Sequence, residues 1–321
     1  MAERLWITWE NQRRNRTLSS HVDAKLYEMD LDAPWWVRYP VVVLKTIVIV
    51  IKENPRFIFS QNPSLVLALL SVLIASISRK KLIIDSHNAG LFPLEGKSKA
   101  LNWISSKVCE WTDLTIVSNP DLKNYVESKG GQAIVIPDPI PDIEYPSDGI
   151  RLGGGFNILY VCSWAPDEPY YEVIKAAALL EDDCRIYISG DYKGRLGELD
   201  IPLPDNIELT GYIPDEQYVR YLAACDAVMA LTQRENCLLC GAYEGVAAGK
   251  PVIITDTQAL REYFSSGCIY TENNAAAIAA AIRKIMPRHL ILSKDIHDFE
   301  ALCRENTAEH IKNLEKYMNE M

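Results

Sequence analysis

Short β-branched and aromatic runs alternate with helical apolar periodicity along the whole chain. In the first half the runs are RLWITW, RFIFSQ, KLIIDSH, LTIVSN and AIVIPD; in the second they are FNILYVCS, CRIYISGD, NIELTGY, AVMALT and PVIITD. That alternation predicts βαβ units and mainly parallel sheets. Between residues 137 and 155 the stretch PDPIPDIEYPSDGIRLGGG gathers Pro and Gly without apolar periodicity, which predicts an interdomain linker. The expected organisation is two doubly wound α/β domains, residues 1–145 and 150–290. A charged, amphipathic helix in 291–321 then packs back across the hinge. In such sheets ligands bind beyond the carboxyl ends of the strands, so the cleft between two facing domains is the expected site.

Two segments interrupt the amphipathic rhythm. PVVVLKTIVIVI (40–51) and LVLALLSVLIASI (65–77) are nearly uniformly apolar, yet both are shorter than the ~18–20 residues that a membrane span requires. One reading makes them helices packed on a buried sheet. The other is peripheral contact with a bilayer, supported by Trp35, Trp36, Arg38 and Tyr39 before the first segment and Arg79, Lys80 and Lys81 after the second.

Composition narrows the function classes. A chain of 321 residues, 48% hydrophobic, holds enough apolar material for two cores. Its net charge of −10 argues against a nucleic-acid partner, so any anionic ligand has to be held locally. The eight cysteines mostly lie in apolar runs, as buried thiols do in a reducing cytoplasm. The one close pair, Cys237 and Cys240, lacks the further ligands of a zinc site, and no metal is expected. The start, MAERLWITWENQRR, does not read as a secretory signal.

The most informative segment is LTQRENCLLCGAYEGVAAGKPVIITD (231–256). A strand ends in a polar turn, a short helix of small residues follows, and GKP stops it before the next strand. The helix start offers backbone N–H groups near Cys237, Leu238 and Leu239 to a diphosphate, and Glu244 lies one or two turns inside, placed to accept ribose hydroxyls. Close helix–sheet packing alone would select the same small residues.

The pattern EGVAAGKPVI from Glu244 resembles the signature of group 1 (family 4) retaining glycosyltransferases of the GT-B fold. FNILYVCSWAPDEPYYEVIKAAALL, RIYISGD and NIELTGYIPDEQYVRYLAACDAVMAL are similar to successive pieces of their donor domain. SQNPSLVLALL and LIIDSHN resemble parts of the acceptor domain more loosely. The resemblance implies two Rossmann-like domains and transfer of a hexosyl unit from a nucleoside diphosphate sugar to a saccharide or polyprenyl-linked acceptor. It implies retention at the anomeric carbon. No DxD motif stands in a convincing place, so neither metal nor cofactor is expected, and the greasy, Trp-containing N-terminal half would suit surface polysaccharide synthesis at the inner face of the cell membrane.

Carried over by position, Glu244 matches the ribose-binding Glu, and Gly211, Tyr212 and Ile213 the segment facing the base. His87 matches a histidine near the reacting sugar. The family's other Glu falls on Asn236, with Glu235 one residue out of step. Two departures stand out: the family's phosphate-binding Arg and Lys correspond to Ser163 and Glu168. Arg234 is the leading replacement cation, and the basic loop after the first strand adds Arg13, Arg14 and Arg16, which also fit an acceptor phosphate. Asp167-Glu168-Pro169 otherwise reads as an ordinary helix start. The lost cations keep a non-catalytic nucleotide-sugar binding protein open, alongside another GT-B enzyme such as a sugar-nucleotide epimerase. A dinucleotide oxidoreductase is disfavoured because no GxGxxG follows a strand.

Overall fold

The computed structural model describes residues 2–180, 184–195 and 203–321. They form two units, one comprising the chain up to Pro139 together with Glu305–Met321, the other Ile140–Arg304.

The first unit runs β1 (Arg4–Thr8), α1 (Arg13–His21), β2 (Lys25–Glu28), α2 (Trp35–Glu53), β3 (Phe57–Asn62), α3 (Leu65–Ser78), β4 (Lys81–Ser86), α4 (Asn88–Leu91), α5 (Lys99–Trp111), β5 (Leu114–Val117), α6 (Pro120–Ser128) and β6 (Ala133–Val135). The six strands form one sheet in the order β2-β1-β3-β4-β5-β6, every pair parallel. A parallel sheet is buried on both faces, which explains why β3 opens with the apolar run Phe57, Ile58 and Phe59 and is buried throughout, down to the polar Gln61 and Asn62 at its carboxyl end. On one face α2 and α3 pack against Leu5, Ile7, Ile58 and Leu82. On the other, Leu18 and Val22 cover Trp6 and Phe59, whose rings stack at 5.1 Å. The greasy segments form α2 and α3, and no described helix is long and apolar enough to cross a membrane. Asn54 in the left-handed conformation ends α2, while the Ser64 hydroxyl caps α3 by accepting from the Leu67 amide.

The second unit continues with β7 (Phe156–Tyr160), α7 (Tyr170–Ala177), β8 (Cys184–Ser189), β9 (Ile207–Gly211), α8 (Asp215–Ala224), β10 (Ala227–Ala230), α9 (Cys240–Ala247), β11 (Val252–Thr255), α10 (Gln258–Tyr263), β12 (Cys268–Thr271) and α11 (Ala275–Ile285). Its parallel sheet has the order β12-β11-β10-β7-β8-β9. The segment 136–155 contains no helix or strand. The last helix, α12 (His289–Glu320), contributes Ile296, Phe299 and Cys303 to the core of the second unit and Ile311, Leu314 and Met318 to that of the first.

Each sheet reverses its winding once. In the first the chain builds outward to β2 and then returns to the other side of β1 with β3; in the second it reverses between β7 and β10. Such switch points leave a crevice at the carboxyl ends of the two central strands.

Candidate functional site

In the second unit the crevice is bounded by the loop after β7 (161–168) and the turn after β10 (231–239). Asp167 and Glu168 do not cap α7, whose N-cap is Pro169. The Glu168 carboxylate turns back into its own loop, accepting from the Ser163 amide at 2.9 Å, the Ala165 amide at 2.8 Å and the Ser163 hydroxyl at 3.1 Å. Asp167 reaches the other wall: Thr232 Oγ1 donates to it at 2.8 Å, and its carbonyl accepts from the Gln233 amide. Arg234 Nη2 lies 3.3 Å from the Asp167 carboxylate, so this cation is already balanced by an acid. Ser163, expected on the donor side, has its amide and hydroxyl directed to Glu168 instead.

The two loops after β7 and β8 touch. Gly190 has φ +90°, and a Cβ there would lie 2.1 Å from the Cys162 carbonyl oxygen, so only glycine lets them close. The Trp164 indole N–H donates to the Ser189 carbonyl at 2.9 Å, and its ring packs on Tyr192 in the next loop. Lys193 and Arg195 follow on that loop, both exposed. Burial pushes the Cys162 thiol well up, so it stays protonated and is no nucleophile.

Helix α9 enters the crevice at Leu239, an extended, apolar N-cap that supplies no side-chain acceptor. It packs closely on the sheet: a Cβ on Gly241 would fall 2.7 Å from Val161 Cβ, at the end of β7. The small residues of this helix therefore serve packing, and that packing brings its amino end to the switch point. Leu238 and Leu239 pack on the core, Cys237 and Asn236 are half-buried, and Glu235 is exposed. Glu244 is half-buried, and the hydroxyl of Tyr218 on α8 donates to its Oε2. Gly211 ends β9 and its carbonyl accepts from the Gly190 amide; Tyr212, just beyond, is 83% exposed, and Ile213 leads to α8. Tyr218 carries no mark in the sequence, since only the fold brings α8 beside α9.

In the first unit the crevice between β1 and β3 holds a cavity of about 450 Å³, lined among others by Trp9, Glu10, Arg38, Tyr39, Ser64 and Leu94. His87 follows β4 at the same edge, its Nε2 3.7 Å from Asp85 Oδ2. An acid thus stands beside His87. The spacing of two residues in extended backbone was the available signal, because it puts Asp85 and His87 on one side of the strand.

Asp85 is in turn gripped by Arg14: Nε donates at 2.9 Å and Nη2 at 2.8 Å, while Nη1 pairs with Asp138 and Nη2 also donates to the Ile136 carbonyl. Both side chains are buried. Burial alone would raise the Asp85 carboxyl, but Arg14 and His87 outweigh it and hold it below the ordinary carboxylate range. This corrects the expectation for Arg14: its fork is occupied within the protein and is not presented to an external phosphate. Arg16 is exposed and pairs with Glu28 at 2.9 Å and Asn11 at 2.7 Å. The side chain of Arg13 lies outside the described residues. Among the described residues no cluster of three or more His, Cys, Asp or Glu forms a metal site.

Residues 155–287 match the family model described as Glycosyl transferases group 1. No curated protein matches the chain. Among solved structures, sucrose-phosphate synthase from Thermosynechococcus elongatus superposes with a TM-score of 0.72 at 16% identity, covering 92% of this chain and 83% of that one. The fold is GT-B. The GT-B likeness extends to HepE from Anabaena, solved in complex with UDP, with a TM-score of 0.70 at 13% identity over 99% of this chain and 100% of that one. It extends also to a putative UDP-N-acetylglucosamine 2-epimerase from Listeria monocytogenes, with a TM-score of 0.58 at 14% identity over 91% and 81% of the two chains. The family match covers both walls of the second unit's crevice and all of α9. The first unit shares the GT-B architecture without a family match.

Proposed function

We propose that the protein is a glycosyltransferase that takes a hexosyl unit from a nucleoside diphosphate sugar and passes it, with retention, to a saccharide or lipid-linked acceptor in surface polysaccharide synthesis. The observation that carries this reading is the placement of Glu244 and the amino end of α9 at a topological switch point, inside the segment matching group 1 glycosyltransferases. Glu244, oriented by Tyr218, accepts the ribose hydroxyls, and Gly211, Tyr212 and Ile213 flank the base. The first amides of α9 take the diphosphate, favoured by the positive end of the helix dipole.

Charge on the leaving diphosphate grows as the bond from its oxygen to the anomeric carbon breaks, and cations aimed there are a large part of catalysis in such sites. Arg234 supplies one, shared with Asp167, and Lys193 and Arg195 supply more from the loop after β8. The departing phosphate oxygen takes the proton from the acceptor hydroxyl on the same face as the new bond forms. Glu235 and Asn236 hold the donor sugar, and His87, with Asp85 beside it, stands at the acceptor side. No metal or cofactor takes part in this reading.

Calorimetry with UDP, GDP and their sugars, followed by donor-consumption assays, tests the reading. Wild type is expected to bind one of these series, and Glu244→Ala to weaken it by about tenfold or more. Unchanged affinity in Glu244→Ala would refute the site. Ser163 and Glu168, standing where the family has cations, favour one second reading, a nucleotide-sugar binding protein without transfer. Tight binding with no acceptor or water ever consuming the donor selects it.

A further inference from the structure

A helix lying on a sheet normally turns its apolar stripe inward and its polar stripe to water. Three neighbouring helices of the first unit bury an apolar stripe and carry large apolar side chains outward as well. On α2 the inward positions are Val42, Thr46, Val50 and Glu53, while the outward stripe carries Leu44, Val48 and Ile51, at 64, 61 and 74% exposure. On α3 the outward stripe is Val66, Leu69, Leu73 and Ile77, the last two 56 and 76% exposed. On α5 it includes Trp103 and Trp111, and Trp35 and Trp36 stand exposed at the start of α2. Four of the seven tryptophans of the chain therefore face outward from these helices.

Charge follows the same surface. Residues 34–111 hold ten Lys and Arg against four Asp and Glu, a net +6 inside a chain of net −10. Lys45, Lys52, Arg79, Lys97 and Lys99 are exposed there, with Glu95 and Glu110 the exposed acids. Two copies of this face would set cation against cation, and lysine is depleted in protein–protein contacts. Interfacial tryptophans, an apolar stripe and a basic margin together match the surface of an anionic bilayer. The face also runs into the cavity between β1 and β3, because Tyr39, Val66 and Leu94 are exposed and line it.

We infer that the outward face of α2, α3 and α5 docks on an anionic lipid surface, without spanning it, and that the adjoining cavity receives an acceptor anchored in that surface. The acceptor part rests on the proposed transferase reading; the docking part does not. The test is co-sedimentation of the full chain with phosphatidylcholine vesicles, with and without phosphatidylglycerol, for wild type and a Leu44→Glu, Ile51→Glu, Leu73→Glu variant. These positions are more than half exposed, so the variant is expected to keep the circular dichroism spectrum and unfolding midpoint of wild type.

Wild type should pellet with the anionic vesicles and be partly released by salt, and the variant's bound fraction should fall about tenfold. With a lipid-linked acceptor in the vesicles, transfer should fall with it, while donor hydrolysis in solution stays unchanged. Equal sedimentation of wild type and variant would overturn the proposal. So would a wild type that ignores vesicles, whether as a dimer dissociated by the triple substitution, which assigns the face to a second copy, or as a monomer. Vesicle binding in a protein that binds no sugar nucleotide would leave the docking standing and remove the transferase reading; donor binding without vesicle binding would do the reverse.

Discussion

Replacing Arg14 by Met is the sharpest probe of how the first unit holds its crevice together. The guanidinium is 5% exposed and faces an Asp85 side chain that is 1% exposed, with two of its nitrogens donating to the same carboxylate. Met is of similar length, so little cavity results, but Asp85 is left charged and buried with its main partner gone. Removing one member of such a pair costs about 3–5 kcal/mol. The Asp85 carboxyl lies below its ordinary value in the intact protein, so its contribution is present above that value and fades as pH falls through the lowered one. In Arg14→Met only His87 is left to oppose burial, so the group rises instead, and its penalty is relieved as acid protonates it. The gap between wild type and variant should therefore be full near neutral pH and narrow toward and below about pH 4. Urea unfolding read by hydrogen exchange of the β4 amides, across pH, measures it, and Asp85→Asn added to Arg14→Met should recover most of the loss. A gap below about 1 kcal/mol at neutral pH, or one that widens in acid, would refute the reasoning.

Other outcomes follow from the second unit. Glu168→Ala removes the acceptor shared by the Ser163 and Ala165 amides, so hydrogen exchange across 162–165 should accelerate about tenfold, against no change if the carboxylate is idle. Gly190→Ala meets both a φ of +90° and the Cys162 carbonyl, and should lower stability by about 2 kcal/mol or more in thermal melts. Tyr218→Phe should weaken nucleotide binding less than Glu244→Ala does, because it removes only the group orienting the carboxylate. Calorimetry that ranks the two variants the other way would show that Tyr218 contacts the ligand itself.

Each of the ten β-branched runs contains a strand; eight of these are central strands, buried on both faces of a parallel sheet, while β6 and β9 lie at sheet edges and were legible from their β-branched residues. The two strands without such a run are β2 and β12, both edge strands: KLYE is half-buried to exposed, and CIYT alternates between buried and half-buried. An edge strand has one neighbour and needs less apolar sequence. The small-residue helix around Glu244 was legible for the same reason, since close packing restricts residue type. The partnerships of the site were not. Glu168 looked like part of a helix start and instead closes its own loop; Arg14 looked like one of three loop arginines fit for a phosphate and is buried. Both depend on contacts made across the fold, and side-chain type does not reveal which strand end a charged group will meet.

The end of α12 carries a consequence for how the chain is made. Ile311, Leu314 and Met318 lie against Trp6, Phe59 and Leu18, sealing the face of the first sheet opposite α2 and α3. These residues leave the ribosome only after the entire second unit has been synthesised. The nascent first unit therefore waits with one apolar face covered only in part, by Leu18 and Val22, while more than half of the polypeptide is still to come. During that interval chaperone binding is expected to centre on the β1–β3 surface, and loss of residues 305–321 should trap the first unit in that state while the second folds.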